Sequence, residues 1–179
     1  MNNLASAYWK QRRYAEAEPL HGRALAIREK AFGPNHPLVA NSLNNLAIVY
    51  RGQGRYAEAE PVYLRALKIY EKTLGLNRPI VANSMGNLGN VYGDQGRYGE
   101  AEPLHLHALA ICEQVFGPDH PDVAKSLKDL AQTFREQNRC QEAESLLLRA
   151  LSIQERALGS DHSVTQSTRE EFDALRSKE

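Results

Sequence analysis

RYAEAEP at residues 13–19 returns as RYAEAEP at 55–61, as RYGEAEP at 97–103 and, more loosely, as RCQEAES at 139–145, each copy 42 residues after the last. Behind every copy the chain runs through an Ala-Leu pair, an apolar turn, a Gly and a polar junction that mostly contains His-Pro. A fixed period of this size means stacked units that share one continuous core, so the 179 residues count modules along an axis.

Within the first unit, Ala17, Leu20, Ala24, Ile27 and Ala31 follow spacings of three and four, which places them on one stripe of a helix. The stripe recurs as Ala59, Val62, Ala66 and Ile69, then Ala101, Leu104, Ala108 and Ile111, then Ala143, Leu146, Ala150 and Ile153. Small residues alternating with branched ones suit close helix contact. Gly33, Gly75, Gly117 and Gly159 stop these helices, since glycine takes a left-handed C-terminal conformation without a side-chain clash. Asn35, Asn77, Asp119 and Asp161 follow, with Pro after three of them, and read as the N-cap and first turn of a second helix.

That second helix carries Val39, Leu43, Leu46 and Tyr50, repeated as Val81, Met85, Leu88 and Tyr92 and as Val123, Leu127, Leu130 and Phe134. Pro19, Pro61 and Pro103 are expected within about a turn of their helix starts, where backbone donors lack an intrahelical partner. Nothing alternates with the period of two that strands require. The expected fold is all-α, a solenoid of antiparallel helix hairpins. One array spans 1–179: a shortened first unit at 1–33, full units at 36–75, 78–117 and 120–159, and a capping helix at 162–177 in which Arg169, Asp173 and Arg176 stand where the pattern wants apolar residues.

Composition narrows the function classes. Lysine plus arginine equals aspartate plus glutamate at 22 each, so the field of a nucleic-acid binder is missing. No run of eighteen apolar residues is present to span a membrane, and the opening MNNLASAYWKQRR lacks the apolar stretch of a secretion signal. A cytoplasmic protein is expected, with Cys112 and Cys140 reduced because they fall at different phases of the repeat.

NNLA at Asn44, then Tyr50, Gly54, Tyr56, Ala59, Tyr63 and Ala66, resemble the tetratricopeptide-repeat signature. The period exceeds the usual ~34 residues, and with EAEP, the Ala-Leu-x-Ile phrase and the Gly-Pro-x-His-Pro junction the chain resembles the 42-residue subtype found in kinesin light chains. The columns Leu4, Leu46, Leu88, Leu130 and Tyr8, Tyr50, Tyr92, Phe134 hold that register throughout. The resemblance implies a right-handed superhelix whose first helices line a concave groove. It assigns to that groove Asn41, Asn44, Asn45, Ile48 and Arg51, then Asn83, Asn87 and Asn90, then Lys125, Lys128, Gln132 and Arg135, with Asn3 from the shortened unit.

Asparagine is a poor helix-interior residue, so six on two short helices ask for a reason. Their amides donate and accept together, which matches the main chain of an extended peptide; Asn3, Asn45 and Asn87 are expected to form a ladder along it. The competing expectation is that these amides bridge neighbouring units or face water. The carboxylate-gripping version of the fold is not expected, because its positions hold Asn2, Ser6, Asn45, Asn83 and Asn87, none a cation.

No catalytic or metal constellation is expected. His36, His120 and His162 share one repeat position, His21 and His105 stand in the packing column of Tyr63, and His105 and His107 point to different helix faces. RGQGR at Arg51 and DQGRY at Asp94 are repeat turns without the lysine of a phosphate loop. Cys140 is expected to pack and Cys112 to be partly exposed. The function expected is thus a non-enzymatic module without cofactors that binds a protein or extended peptide. A regulatory domain of a larger signalling protein, or an array that self-associates through its terminal units as a homodimer, are the alternatives.

Overall fold

The computed structural model describes residues 7–9 and 11–177, and all its regular structure is helical. After a helical stub at 7–9 come α1 (Tyr14–Phe32), α2 (Pro37–Gly52), α3 (Tyr56–Leu74), α4 (Pro79–Asp94), α5 (Tyr98–Phe116), α6 (Pro121–Glu136), α7 (Cys140–Leu158) and α8 (Ser163–Arg176). Each helix packs against its neighbours in sequence, and α2, α4 and α6 also touch in succession. The result is an α-solenoid. Its core is one cluster running from Val39 to Leu175, to which every helix from α2 to α8 contributes.

The odd helices bury Ala17, Ala59, Ala101 and Ala143 completely, and beside them the column His21, Tyr63, His105, Leu147. The expected stripe holds in the later units, where Ile69, Ile111 and Ile153 are buried, but Ile27 is 49 % exposed.

Three local expectations need correction. Pro19, Pro61 and Pro103 are the sixth residues of their helices, past the first turn. They lie on the exposed side, so the carbonyl four residues earlier that each leaves without a donor stands on a side that water reaches. The N-caps are His36, Arg78, His120 and His162, one residue after the Asn and Asp positions. Each of the three histidines accepts a bond at Nδ1 from the amide two residues on, at 3.2 Å. At the other end Gly33, Gly75, Gly117 and Gly159 have φ from 79 to 89° but ψ from 159 to 166°, a region glycine alone occupies comfortably, instead of left-handed helix.

Cys112, expected to be partly exposed, is buried and accepts a bond from the Ser126 hydroxyl, whereas Cys140 packs half-buried against the core as expected. In α8, Arg169 and Arg176 face the preceding unit. They pair with Glu155 and Glu144, while Thr165, Thr168 and Leu175 are buried.

Candidate functional site

The even helices present a groove formed by two adjoining cavities. One, of about 650 Å³, is lined by Trp9, Tyr14, His21, Asn45, Ile48, Arg51, Gly52, Tyr63, Asn87, Asn90, Asp94 and Lys125. The other, of about 470 Å³, is bounded by Asn41, Asn44, Asn83 and Ile80, with Arg28 and Tyr70 from the odd helices, and shares Asn45, Ile48, Asn87 and Lys125 with the first. Asn45 and Ile48 stand three apart on one face of α2, and Asn87 of α4 and Lys125 of α6 join them in serving both cavities.

The asparagines divide by what they bond. Asn41 accepts from the Tyr70 hydroxyl at 2.5 Å, Asn44 from Ser84 at 3.2 Å and Asn83 from the Lys125 ammonium at 3.3 Å. The second and third of these join one unit to the next, as the competing expectation had it. Asn45 and Asn87 have no side-chain hydrogen-bond partner among the described residues, and both line both cavities. Asn3, the third rung expected, lies outside the described residues.

Charge in the groove is partly cancelled from within. Arg51 Nε donates to Asp94 at 2.6 Å, joining α2 to α4. Burial works against the Arg51 charge, but the bond and field of Asp94 outweigh it and hold its pKa above the usual value. Asp129 is pushed up by desolvation, against the pull of Lys125, Asn90, Arg51 and Lys128. Lys128 pairs with Glu171 of α8 at 2.9 Å. Gln132 donates to Glu136 at 2.7 Å and Arg135 pairs with the same carboxylate. Lys128, Gln132 and Arg135 line neither cavity.

Beneath the first cavity lie buried polar groups. Tyr63 is fully buried, its hydroxyl has no partner among the described residues, and burial pushes its pKa up. His105 is 2 % exposed with Nδ1 unpaired; desolvation, aided by the Arg51 charge, lowers its pKa from 6.5 to about 4. His105 fits because α4 has Gly89 opposite it, where a Cβ would stand 2.7 Å from the ring.

Among the lining residues that escaped the sequence reading, Arg28 is the charged one. Arg28 belongs to an odd helix, in the column of Tyr70, Cys112 and Gln154, and reaches α2 to donate to the Leu38 carbonyl at 3.1 Å and to Ser42 at 2.8 Å. The signal available was a charge in a column otherwise buried. Trp9 is 40 % exposed and lines the groove.

Among the described residues no group of three or more His, Cys, Asp or Glu could hold a metal, and no helix is long and apolar enough to cross a membrane. No curated protein matches the chain. Several solved structures do. TPR-like repeats assigned to a kinesin light chain of Podosopora anserina share 28 % identity and a TM-score of 0.82, over 97 % of this chain and 82 % of that one. BtubC (BKLC) of P. vanneervenii, at 23 % identity and a TM-score of 0.83, covers 96 % of this chain and 68 % of its own. The apo form of RapI, at 18 % and 0.75, covers 99 % and 68 %; these last two show likeness of fold. The tetratricopeptide repeat family model matches residues 1–72 and 80–156. With its 42-residue period, its stacked hairpins and these neighbours, the chain belongs to the tetratricopeptide repeat family, in the kinesin-light-chain-like form.

Proposed function

We propose that this array is a non-catalytic interaction module that holds an extended peptide of a partner protein along the groove of α2, α4 and α6. The observation that carries the reading is the pair Asn45 and Asn87, two amides on neighbouring helices that line both cavities without partners among the described residues. An amide offers a donor and an acceptor side by side, which is what a peptide unit presents in an extended chain. Tetratricopeptide arrays are generally protein-binding modules, and the buried polar groups beneath the groove recur with the repeat instead of converging on one reacting centre.

The test is binding of peptides selected from a random library to the parent and to Asn45→Ala/Asn87→Ala, with circular dichroism showing equal helix content. Loss of two main-chain contacts is expected to weaken binding roughly tenfold or more. Equal affinity of a folded variant sinks the ladder. Self-association is the second reading, favoured by the exposure of Ile27 where later units are covered at Ile69, Ile111 and Ile153. Sedimentation of the parent against Ile27→Glu decides it: a monomer at every concentration excludes the reading.

A further inference from the structure

A further cavity, of about 370 Å³, lies between α3 and the junction of α1 with α2 and shares no residue with the groove. Asn35, Arg65, Lys68, Ile69, Lys72 and Thr73 line it. Arg65 is anchored, donating to the Pro34 carbonyl at 3.3 Å and pairing with Glu29 at 2.7 Å. Lys68 and Lys72 are both exposed, stand one turn apart on α3 and pair with no carboxylate among the described residues. Like charges at that spacing repel. Glu71 does not relieve them, because its column turns to the following unit, as Glu29 does towards Arg65 and Glu113 towards Arg149.

Two repeats on, the same corner is built again with one difference. Arg149 donates to the Pro118 carbonyl and pairs with Glu113, as Arg65 does with Pro34 and Glu29. There Ser152 stands for Lys68, Arg156 for Lys72 and Asp119 for Asn35, and Arg156 pairs with Asp119 at 2.7 Å. In the unit between, Asn77 goes with Ala110 and Gln114, neither of them charged. An acid at the junction thus accompanies a cation on the helix, and an amide accompanies neutral residues. Asn35 breaks that pattern, since it meets two lysines.

We propose that this cavity binds a phosphate monoester dianion, whose oxygens take the place that Asp119 Oδ1 holds opposite Arg156. Charge favours it over a carboxylate. A phosphate monoester carries about −1.5 to −2 near neutral pH, which matches two uncancelled ammonium groups, whereas a carboxylate would leave one of them unanswered. Its terminal oxygens can accept from both lysines in charge-assisted bonds and from the Asn35 amide N–H. Water reaches both lysines and screens them, so the affinity expected is in the millimolar range.

The experiment is an NMR titration of the isotope-labelled chain with inorganic phosphate, with N-acetyl-phosphoserine amide and with acetate, at matched ionic strength and about pH 8, where both phosphates approach two charges. Saturable shifts centred on the Asn35, Lys68 and Lys72 amides are expected from both phosphates, with acetate at least roughly tenfold weaker. Lys68→Gln/Lys72→Gln is expected to weaken phosphate roughly tenfold or more. Asn35→Asp supplies the acid found at Asp119 and is expected to block the site without lowering the thermal midpoint. Asp119→Asn/Ser152→Lys is expected to create a second site beside Arg156. Tighter binding of the phosphoserine amide assigns the dianion to a phosphorylated segment of a partner, and tighter binding of the inorganic ion assigns it to free phosphate.

Shifts spread over cations along the whole chain, or acetate binding as tightly as phosphate, overturn the proposal. So does phosphate binding that survives in folded Lys68→Gln/Lys72→Gln, or a folded Asp119→Asn/Ser152→Lys chain without a second site. The groove reading stands in each of these cases, since the two sites have no residue in common.

Discussion

Gly89 and His105 form a matched pair, and the same two repeat positions hold Ala47 and Tyr63 in the unit before and Ala131 and Leu147 in the unit after. Since a Cβ at Gly89 would press on a ring buried on all sides, Gly89→Ala is expected to destabilise by about 1–2 kcal/mol, overpacking outweighing the helix propensity gained. Gly52 gives a contrast. There a Cβ would meet the Tyr14 ring at 2.6 Å, but Tyr14 is only half-buried and can swing aside, so Gly52→Ala is expected to be nearly neutral. Urea titrations of both, and of Gly89→Ala/His105→Leu, which rebuilds the last unit's pairing and should recover the loss, check this. His105 also gives the fold a pH dependence of definite sign. Its pKa is depressed in the folded chain, so above pH 6.5 both states are neutral and the residue contributes no slope. Between 6.5 and about 4 the unfolded chain takes the proton first, and about 3 kcal/mol of stability drains away. His105→Leu is expected to flatten that part of the profile, and an unchanged slope refutes the assignment.

At the scale of helices, one joint is used at every step. Arg55, Arg97 and Arg139 each lie over the aromatic ring that closes the preceding helix, Tyr50, Tyr92 and Phe134, at 4.4, 4.1 and 3.7 Å. Each also pairs with a glutamate three residues on and with one from the unit before: Glu18, Glu60 and Glu102. Glu60 is 24 % exposed and Glu100 56 %, so water screens the bond within the helix more than the bond between units. The expected order of stability loss is therefore Arg97→Ala, then Glu60→Ala, then Glu100→Ala, read from thermal midpoints; Glu100→Ala matching Glu60→Ala refutes the ranking. These helices were largely legible in the sequence, because a stripe repeated four times leaves the period no freedom. The caps were misplaced by one residue because Asn and Asp are generic capping residues, and only the bond at His Nδ1 reveals which position is the cap. The groove asparagines on α2 and α4 were legible through the family resemblance. Arg28 was not, since its reach across to α2 depends on how two helices pack, which no spacing along one of them encodes.

Across the whole molecule, α8 is the last described helix and packs on α7. It contributes Leu175 to the core, buries Thr165 and Thr168, and answers Glu144 with Arg176 and Glu155 with Arg169. Ending the chain at residue 159 is expected to cost about 2–4 kcal/mol and to bring concentration-dependent association, because a bared apolar end seeks a neighbour. Urea midpoints and sedimentation at two protein concentrations test this, and unchanged values would show α8 to be an ornament. The same glutamate column that α8 meets through Arg176 is met by Arg55, Arg97 and Arg139 farther up the stack. That uniform fastening lies at the hairpin turns, on residues that line neither cavity of the groove. The inner face adds fasteners of its own, Asn44 with Ser84, Asn83 with Lys125 and Arg51 with Asp94. Asn45 and Asn87 belong to neither set, so their letters can be exchanged while the spelling at the turns keeps every page of the binding in line.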